Sequence, residues 1–371
     1  MTSSVIKFDH LERMTDDTGL LEHSLGRIPR RREGYSTDDN ARAIWACLEW
    51  LALLKNREME KRLYRLLDRY LAFLLWAQND DGTFHNNFFF DRTKEEETPS
   101  DDCLGRSFWA VASAYIQLND PARCEAAADM LRRGMPAAWK LHSLRGIAWG
   151  LAACGLLLEK ASPPGVDKEE LATLAGRFER RLLEAYWTHT DDGWRWYEPE
   201  LTYGNGVLPW ALWTAYRRAP RQEVREVAEE SLAFLIEMMS GPEGTIRPVG
   251  NRGWCSRRYR ADWDQQPIDV MKLALAAREA YWATEDERYR DVVRRCLAWF
   301  YGKNDGNVPL ADRSDGSCCD GLGPNGPNPN RGAESTLSYL LTAAIAQSIS
   351  VEVVFDEYVD NETVRMANTR I

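Results

Sequence analysis

The chain has 371 residues, 44% hydrophobic and 28% charged, which is enough apolar mass for a packed core and too much for a disordered polymer. A formal net charge of −10 argues against nucleic acid as a partner, because phosphate binding needs a basic face. No apolar run reaches the roughly 18 residues of a membrane span, and the five histidines form neither an HxxxH nor an HExxH spacing, which argues against a transition-metal enzyme.

The opening stretch MTSSVIKFDHLERMTDD lacks the apolar core of a secretory signal. Cys47, Cys124, Cys154 and Cys296 fall in helical stretches, where cysteine behaves as a small hydrophobe. The adjacent Cys318 and Cys319 lack the spaced partners of a zinc site. A cytoplasmic protein with reduced thiols, no metal and no cofactor is expected.

In chain order, six segments share one grammar, a polar or acidic start running into a small-residue-rich helix. They are STDDNARAIWACLEWLALL, SDDCLGRSFWAVASAYIQL, SLRGIAWGLAACGLLL, GNGVLPWALWTAYRRA, QQPIDVMKLALAAREAYWA and RGAESTLSYLLTAAIAQS. Each is apolar nearly all round, the mark of a helix buried on most sides. Amphipathic helices follow the first five, among them EMEKRLYRLLDRYLAFLLWAQ and REVAEESLAFLIEMM. Several end in a glycine turn such as NDDGTF or TDDGWRW, which predicts short hairpins.

Six buried helices alternating with amphipathic ones predict an all-α fold, an (α/α)6 toroid with inner and outer rings and short β-hairpin loops at one end. The alternative, an open helical solenoid, fits less well, because the spacing between inner helices is long and irregular. Residues 1–371 read as one domain with no linker. The inner helices are predicted to start near residues 38, 102, 144, 207, 267 and 333. The last segment, VEVVFDEYVDNETVRMANTRI, makes a poor sixth outer helix and is expected as a tail closing against the N-terminal VIKFDHLERM.

In such a ring the six polar starts converge on one cavity. That gathers Asp38, Asp39 and Arg42; Asp102 and Arg106; Arg145; Asn205; Gln265, Gln266 and Asp269; and Glu334. A single acidic helix start is an ordinary cap, whereas several acids and arginines at one mouth suggest a site. Fifteen tryptophans add to this, many beside acids and glycines. Trp194, Trp196, Trp254 and Trp263 are expected at the mouth as flat faces for sugar rings, with Glu198 and Glu200 in the same aromatic loop. His85 in GTFHNNF reads as a loop contact in preference to a base.

The motifs GYSTDDNARA, SDDCLGR, YEPELTYGNGVLPWAL, DWDQQPIDV and CCDGLGPNGPNPNRGAESTLSYLL resemble a bacterial family of (α/α)6 carbohydrate-active modules. The resemblance runs from about residue 10 to residue 349. Members occur alone or joined to retaining-type glycosyltransferase domains. No strand–glycine loop–helix nucleotide site is visible here, so the module is expected to act alone or to serve a separate partner, a glycosyltransferase or a second copy of itself.

The chemistry that fits is glycoside hydrolysis on short oligosaccharides or glycosides by two carboxyl groups, inverting by default. The expected pair draws on Asp102, Asp264, Glu200 and Asp39, with Asp102 or Glu200 as acid and Asp264 as base, while Asp39 with Arg42 binds hydroxyls. The alternatives are a sugar epimerase or isomerase, which would want paired histidines, and a non-catalytic glycan-binding partner of a glycosyltransferase.

Overall fold

The computed structural model describes residues 6–353. Twelve α-helices follow in chain order: α1 (Asp9–Met14), α2 (Thr37–Leu53), α3 (Arg57–Ala77), α4 (Asp101–Gln117), α5 (Pro121–Ala138), α6 (Leu144–Glu159), α7 (Lys168–His189), α8 (Val207–Arg218), α9 (Gln222–Met238), α10 (Pro267–Thr284), α11 (Glu287–Phe300) and α12 (Ala333–Ser348). The even-numbered helices pack side by side in sequence, and α12 returns to α2, so the ring is closed and the open solenoid is excluded. Helices α3, α5, α7, α9 and α11 each pack on the inner helix they follow. The fold is an (α/α)6 toroid, with inner starts at or within one residue of the predicted positions.

The inner helices are buried on nearly every side because their surfaces are small and apolar; in α10, residues Pro267 through Ala280 are all buried. Glycines set the closest approach. A Cβ built on Gly105 of α4 would lie 2.5 Å from the Gly146 carbonyl oxygen, and one on Gly146 of α6 would lie 2.6 Å from that of Asp101. Gly105→Ala and Gly146→Ala should therefore each cost about 1–3 kcal/mol through overpacking, read from chemical denaturation. An unchanged midpoint would show that α4 and α6 can part freely.

Tryptophans fill the axis below the helix starts. Trp45 of α2 meets Trp149 of α6 at 5.9 Å between ring centroids, and Trp109 of α4 meets Trp210 of α8 at 5.0 Å. Trp149 and Trp210 join the two pairs at 4.9 Å. Edge-to-face contacts of this kind are favourable beyond the area they bury. Because α2 and α6 are not ring neighbours, these contacts cross the barrel. Further down, Arg278 of α10 holds both carboxylate oxygens of Glu49 of α2, at 2.8 and 3.0 Å, which crosses the axis again.

The short α1 lies at the seam: Arg62 of α3 bonds Asp9 and Glu12, while His10 meets the Arg331 carbonyl at 2.8 Å across 321 residues of sequence. The expected C-terminal tail lies largely outside the described residues.

Two-residue strands form antiparallel pairs in the loops. They are β1 (Ser24–Leu25) with β2 (Ile28–Pro29), β3 (Tyr35–Ser36) with β4 (Asn87–Phe88), β5 (Glu200–Leu201) with β6 (Cys255–Ser256) and β7 (Tyr259–Arg260), β8 (Ala311–Asp312) with β9 (Ser317–Cys318), and β10 (Leu322–Gly323) with β11 (Gly326–Pro327). Among the described residues no helix is long and apolar enough to cross a membrane.

Candidate active site

Capping explains why the polar helix starts are available for other work. The Ser36 hydroxyl accepts from the Asp39 amide at 3.2 Å, Ser100 from Cys103 at 3.2 Å, and Ser143 from Gly146 at 3.3 Å. The serines cap α2, α4 and α6, so Asp38 and Asp102 are not needed as caps. Asp101 instead ties the start of α6 to α4, accepting from the His142 and Ser143 amides at 2.8 and 2.7 Å.

The freed groups form a chain of ion pairs around the mouth. Arg42 bonds Asp39 and reaches Glu334 at 3.1 Å. Arg106 lies 2.5 Å from Asp38 and 2.8 Å from Asp102. Arg145 reaches Glu198 at 3.1 Å and the Tyr203 carbonyl at 2.7 Å. The Gly204 amide donates to Asp269 at 2.6 Å, and Asn205 pins the same loop through Thr202. Helices α2, α4, α6, α10 and α12, with the loop into α8, thus meet at one end of the barrel.

A pocket of about 250 Å3 opens there, lined by Glu22, His23, Asp38, Asp39, Arg42, Gln266, Asp320 and Glu334 with neighbouring small residues. Five of these carry carboxyl groups against one guanidinium. Burial, reinforced by Asp39, Glu95, Glu334 and Asp38, pushes the Glu22 carboxyl up to about 8. Burial raises Asp39 to about 6 despite Arg42, and raises Asp38 against the pull of Arg106. Burial lifts Asp269 to about 7 and Asp320 above its ordinary value.

Several expectations are corrected. Asp102, expected as an acid, is held low: although burial alone would raise it, Arg106, Lys272, Arg145 and Arg42 bring it to about 2, and it lies outside the pocket lining. Both its oxygens are also occupied, by Arg106 and by the Trp149 indole N–H at 3.1 Å. Glu200 is exposed on β5, paired in register with Ser256, and does not line the pocket. Asp264 is ion-paired to Arg252 on a loop residue of positive φ and also lies outside the pocket lining.

Trp194 and Trp196 are core residues, 2% and 0% exposed. Trp194 packs on Phe234 of α9 at 5.2 Å and donates to the Glu198 carbonyl at 2.8 Å. The loop that carries them folds inward onto α9 because the rings bury more area there than they would at the mouth. Trp254 and Trp263 are half-buried, with Trp254 6.5 Å from Tyr203 at the loop side. Gln265 is fully buried and braces the loop through Asp305 at 2.7 Å, which leaves Gln266 at the pocket. His85 is a loop contact: its carbonyl accepts from Thr37 at 2.5 Å and its ring lies 3.4 Å from Glu97.

Sequence patterning did not single out the pocket acids Glu22 and Asp320, nor Lys272. Glu22 and Asp320 come from loops with no helical pattern to mark them. Lys272, fully buried on α10, is an ammonium flanked by the apolar residues 270–271 and 273–277.

No family model matches the chain, and no curated protein matches it. Its fold is shared with solved structures at low identity. A sugar epimerase from a ruminal bacterium matches at 11% identity and TM-score 0.69, over 93% of this chain and 96% of that one. The cellobiose 2-epimerase of Bacillus thermoamylovorans matches at 10% and 0.70, over 93% and 96%. An alpha-mannanase of Bacteroides thetaiotaomicron matches at 11% and 0.63, over 92% and 94%. At such identities the likeness is one of fold, the (α/α)6 toroid.

Proposed function

We propose that the protein is a glycoside hydrolase that cleaves short oligosaccharides or glycosides with a pair of carboxyl groups. The observation that carries this reading is the pocket itself, where five carboxyl groups meet one guanidinium and Glu22 is the member that burial and its acidic neighbours push up to about 8. In the reaction Glu22 gives its proton to the glycosidic oxygen as the C–O bond breaks. A water attacks the anomeric carbon and yields a proton to a second carboxylate, Asp38 or Glu334, each anchored by an arginine. The products are a sugar with a new hemiacetal and the released sugar or alcohol; Glu22 is left ionised and the second carboxyl protonated, and proton exchange with solvent returns both to their starting states. Asp39 with Arg42 is left to bind hydroxyls.

A sugar epimerase or isomerase is the second reading, favoured by the neighbours of that name. His23 is the pocket group suited to it, and no second histidine lines the pocket among the described residues. Incubation with aryl glycosides and short oligosaccharides, followed by product analysis, separates the readings. Hydrolysis creates a new reducing end and shortens the chain, whereas epimerisation keeps chain length and alters one stereocentre. Binding without turnover of any substrate would favour a glycan-binding partner, of a glycosyltransferase for example.

A further inference from the structure

On α10, outside the lining of that pocket, Lys272 Nζ and Asp269 Oδ2 are among the buried polar atoms with no hydrogen-bond partner in the described residues. The residues lie one turn apart on α10 and are 0% and 2% exposed. Desolvating an ammonium and a carboxylate oxygen without bonding them is costly. Gly204 shapes the place they occupy. Its φ is +62°, its amide takes only Oδ1 of Asp269, and a Cβ there would lie 2.5 Å from Lys272 Nζ.

Two aromatic faces flank the ammonium. The Trp149 and Tyr203 ring centroids each lie 5.8 Å from Nζ. Tyr203 is 40% exposed and covers the group from the solvent side, with the Arg145 guanidinium 4.7 Å from its ring. Below Trp149 the axis is blocked by Trp45 and Trp210, and then by the Glu49–Arg278 pair. The barrel therefore has one entrance and a blind end.

We propose that Lys272 and Asp269 form the inner end of a sugar subsite and bind the hydroxyls of one terminal pyranose, so that the protein works from chain ends and not within chains. This rests on the carbohydrate reading of the pocket at the helix starts. The chemistry matches a diol: the ammonium donates to one hydroxyl oxygen, the carboxylate accepts from its neighbour, and the aromatic faces meet the C–H side of the ring. Tyr203 swings aside to admit the sugar. Burial lowers Lys272 only to about 8, which leaves it a donor at neutral pH.

The test is titration calorimetry with a panel of D-aldohexoses, alongside binding and product analysis of oligosaccharides blocked at one end or both. At least one aldohexose should bind, and Lys272→Met and Asp269→Asn should each weaken it by about tenfold or more. Blocking both ends should abolish binding. The inference is overturned if no aldohexose binds, if doubly blocked chains bind as well as open ones, or if a folded Lys272→Met variant keeps its affinity. Should Lys272→Met fail to fold, Asp269→Asn and the blocked chains decide alone. Cleavage inside chains would retain the hydrolase and remove the terminal subsite. Terminal-sugar binding without cleavage would do the reverse.

Discussion

Glu22→Gln is expected to lower turnover on alkyl or sugar glycosides by about 10²–10⁴-fold, the usual contribution of a general acid. The amide keeps the shape and cannot give up a proton, so sugar affinity should persist while turnover falls. The loss should shrink on aryl glycosides whose leaving group departs without protonation. Wild-type turnover should decline as pH rises through about 8, where Glu22 loses its proton, and this limb should be absent from the variant's residual activity. The same group sets a stability signature. Its native value is raised above the unfolded one of about 4.3, so the native state binds the extra proton between them. Its contribution is fully present below the unfolded value and is lost as pH climbs through about 8. Thermal melts at acidic and alkaline pH should accordingly show the variant gaining on the wild type in alkali. Equal turnover and equal pH profiles in the two proteins would remove Glu22 from the mechanism.

The second large effect concerns the closed end of the barrel. Arg278→Met should destabilise the fold by about 3–5 kcal/mol, because it strands the Glu49 carboxylate without its two guanidinium bonds. Although burial alone would raise Glu49, Arg278 and the Trp45 indole N–H keep it below its ordinary value. The stabilisation from this pair is therefore present above the unfolded carboxylate value and is lost as pH falls through the lower native one. In the Met variant the deficit should shrink in acid, where Glu49 can take up a proton. Adding Glu49→Gln should recover much of the loss, since no uncompensated charge then remains. A double variant no better than the single, measured by chemical denaturation, would mean that packing of Arg278 on Trp282 carries the effect instead.

The ring was legible from sequence because an inner helix has an unusual composition. Segments such as GIAWGLAACGLLL are apolar all round, and only burial on every side tolerates that. The acids at the starts of α2 and α4 were legible for a related reason, as a serine stood ready to cap each helix. What could not be read was the direction of loops. In DDGWRWYEPE, sequence order places tryptophans beside acids, while the fold turns the rings onto α9 and leaves Glu198 for Arg145. Glu22 was invisible because its setting is made by other parts of the chain: its amide bonds Gly34, and its carbonyl receives the Ala333 amide. Lys272 was readable and overlooked, a cation between the apolar residues 270–271 and 273–277.

The seam between α1 and α12 also bears on the order in which the molecule assembles. Five helix pairs along the ring consist of neighbours in sequence and can form as each hairpin emerges. The contacts of His10 with Arg331 and of Arg42 with Glu334, 321 and 292 residues apart, must wait for the whole chain. Loop closure over such a span is entropically dear and comes late on the route. Two of the pocket's carboxyls, Glu22 and Glu334, belong to that closure. A nascent or truncated chain can therefore hold most of its helices and still lack a binding pocket, so that competence for ligand reports completion of the ring.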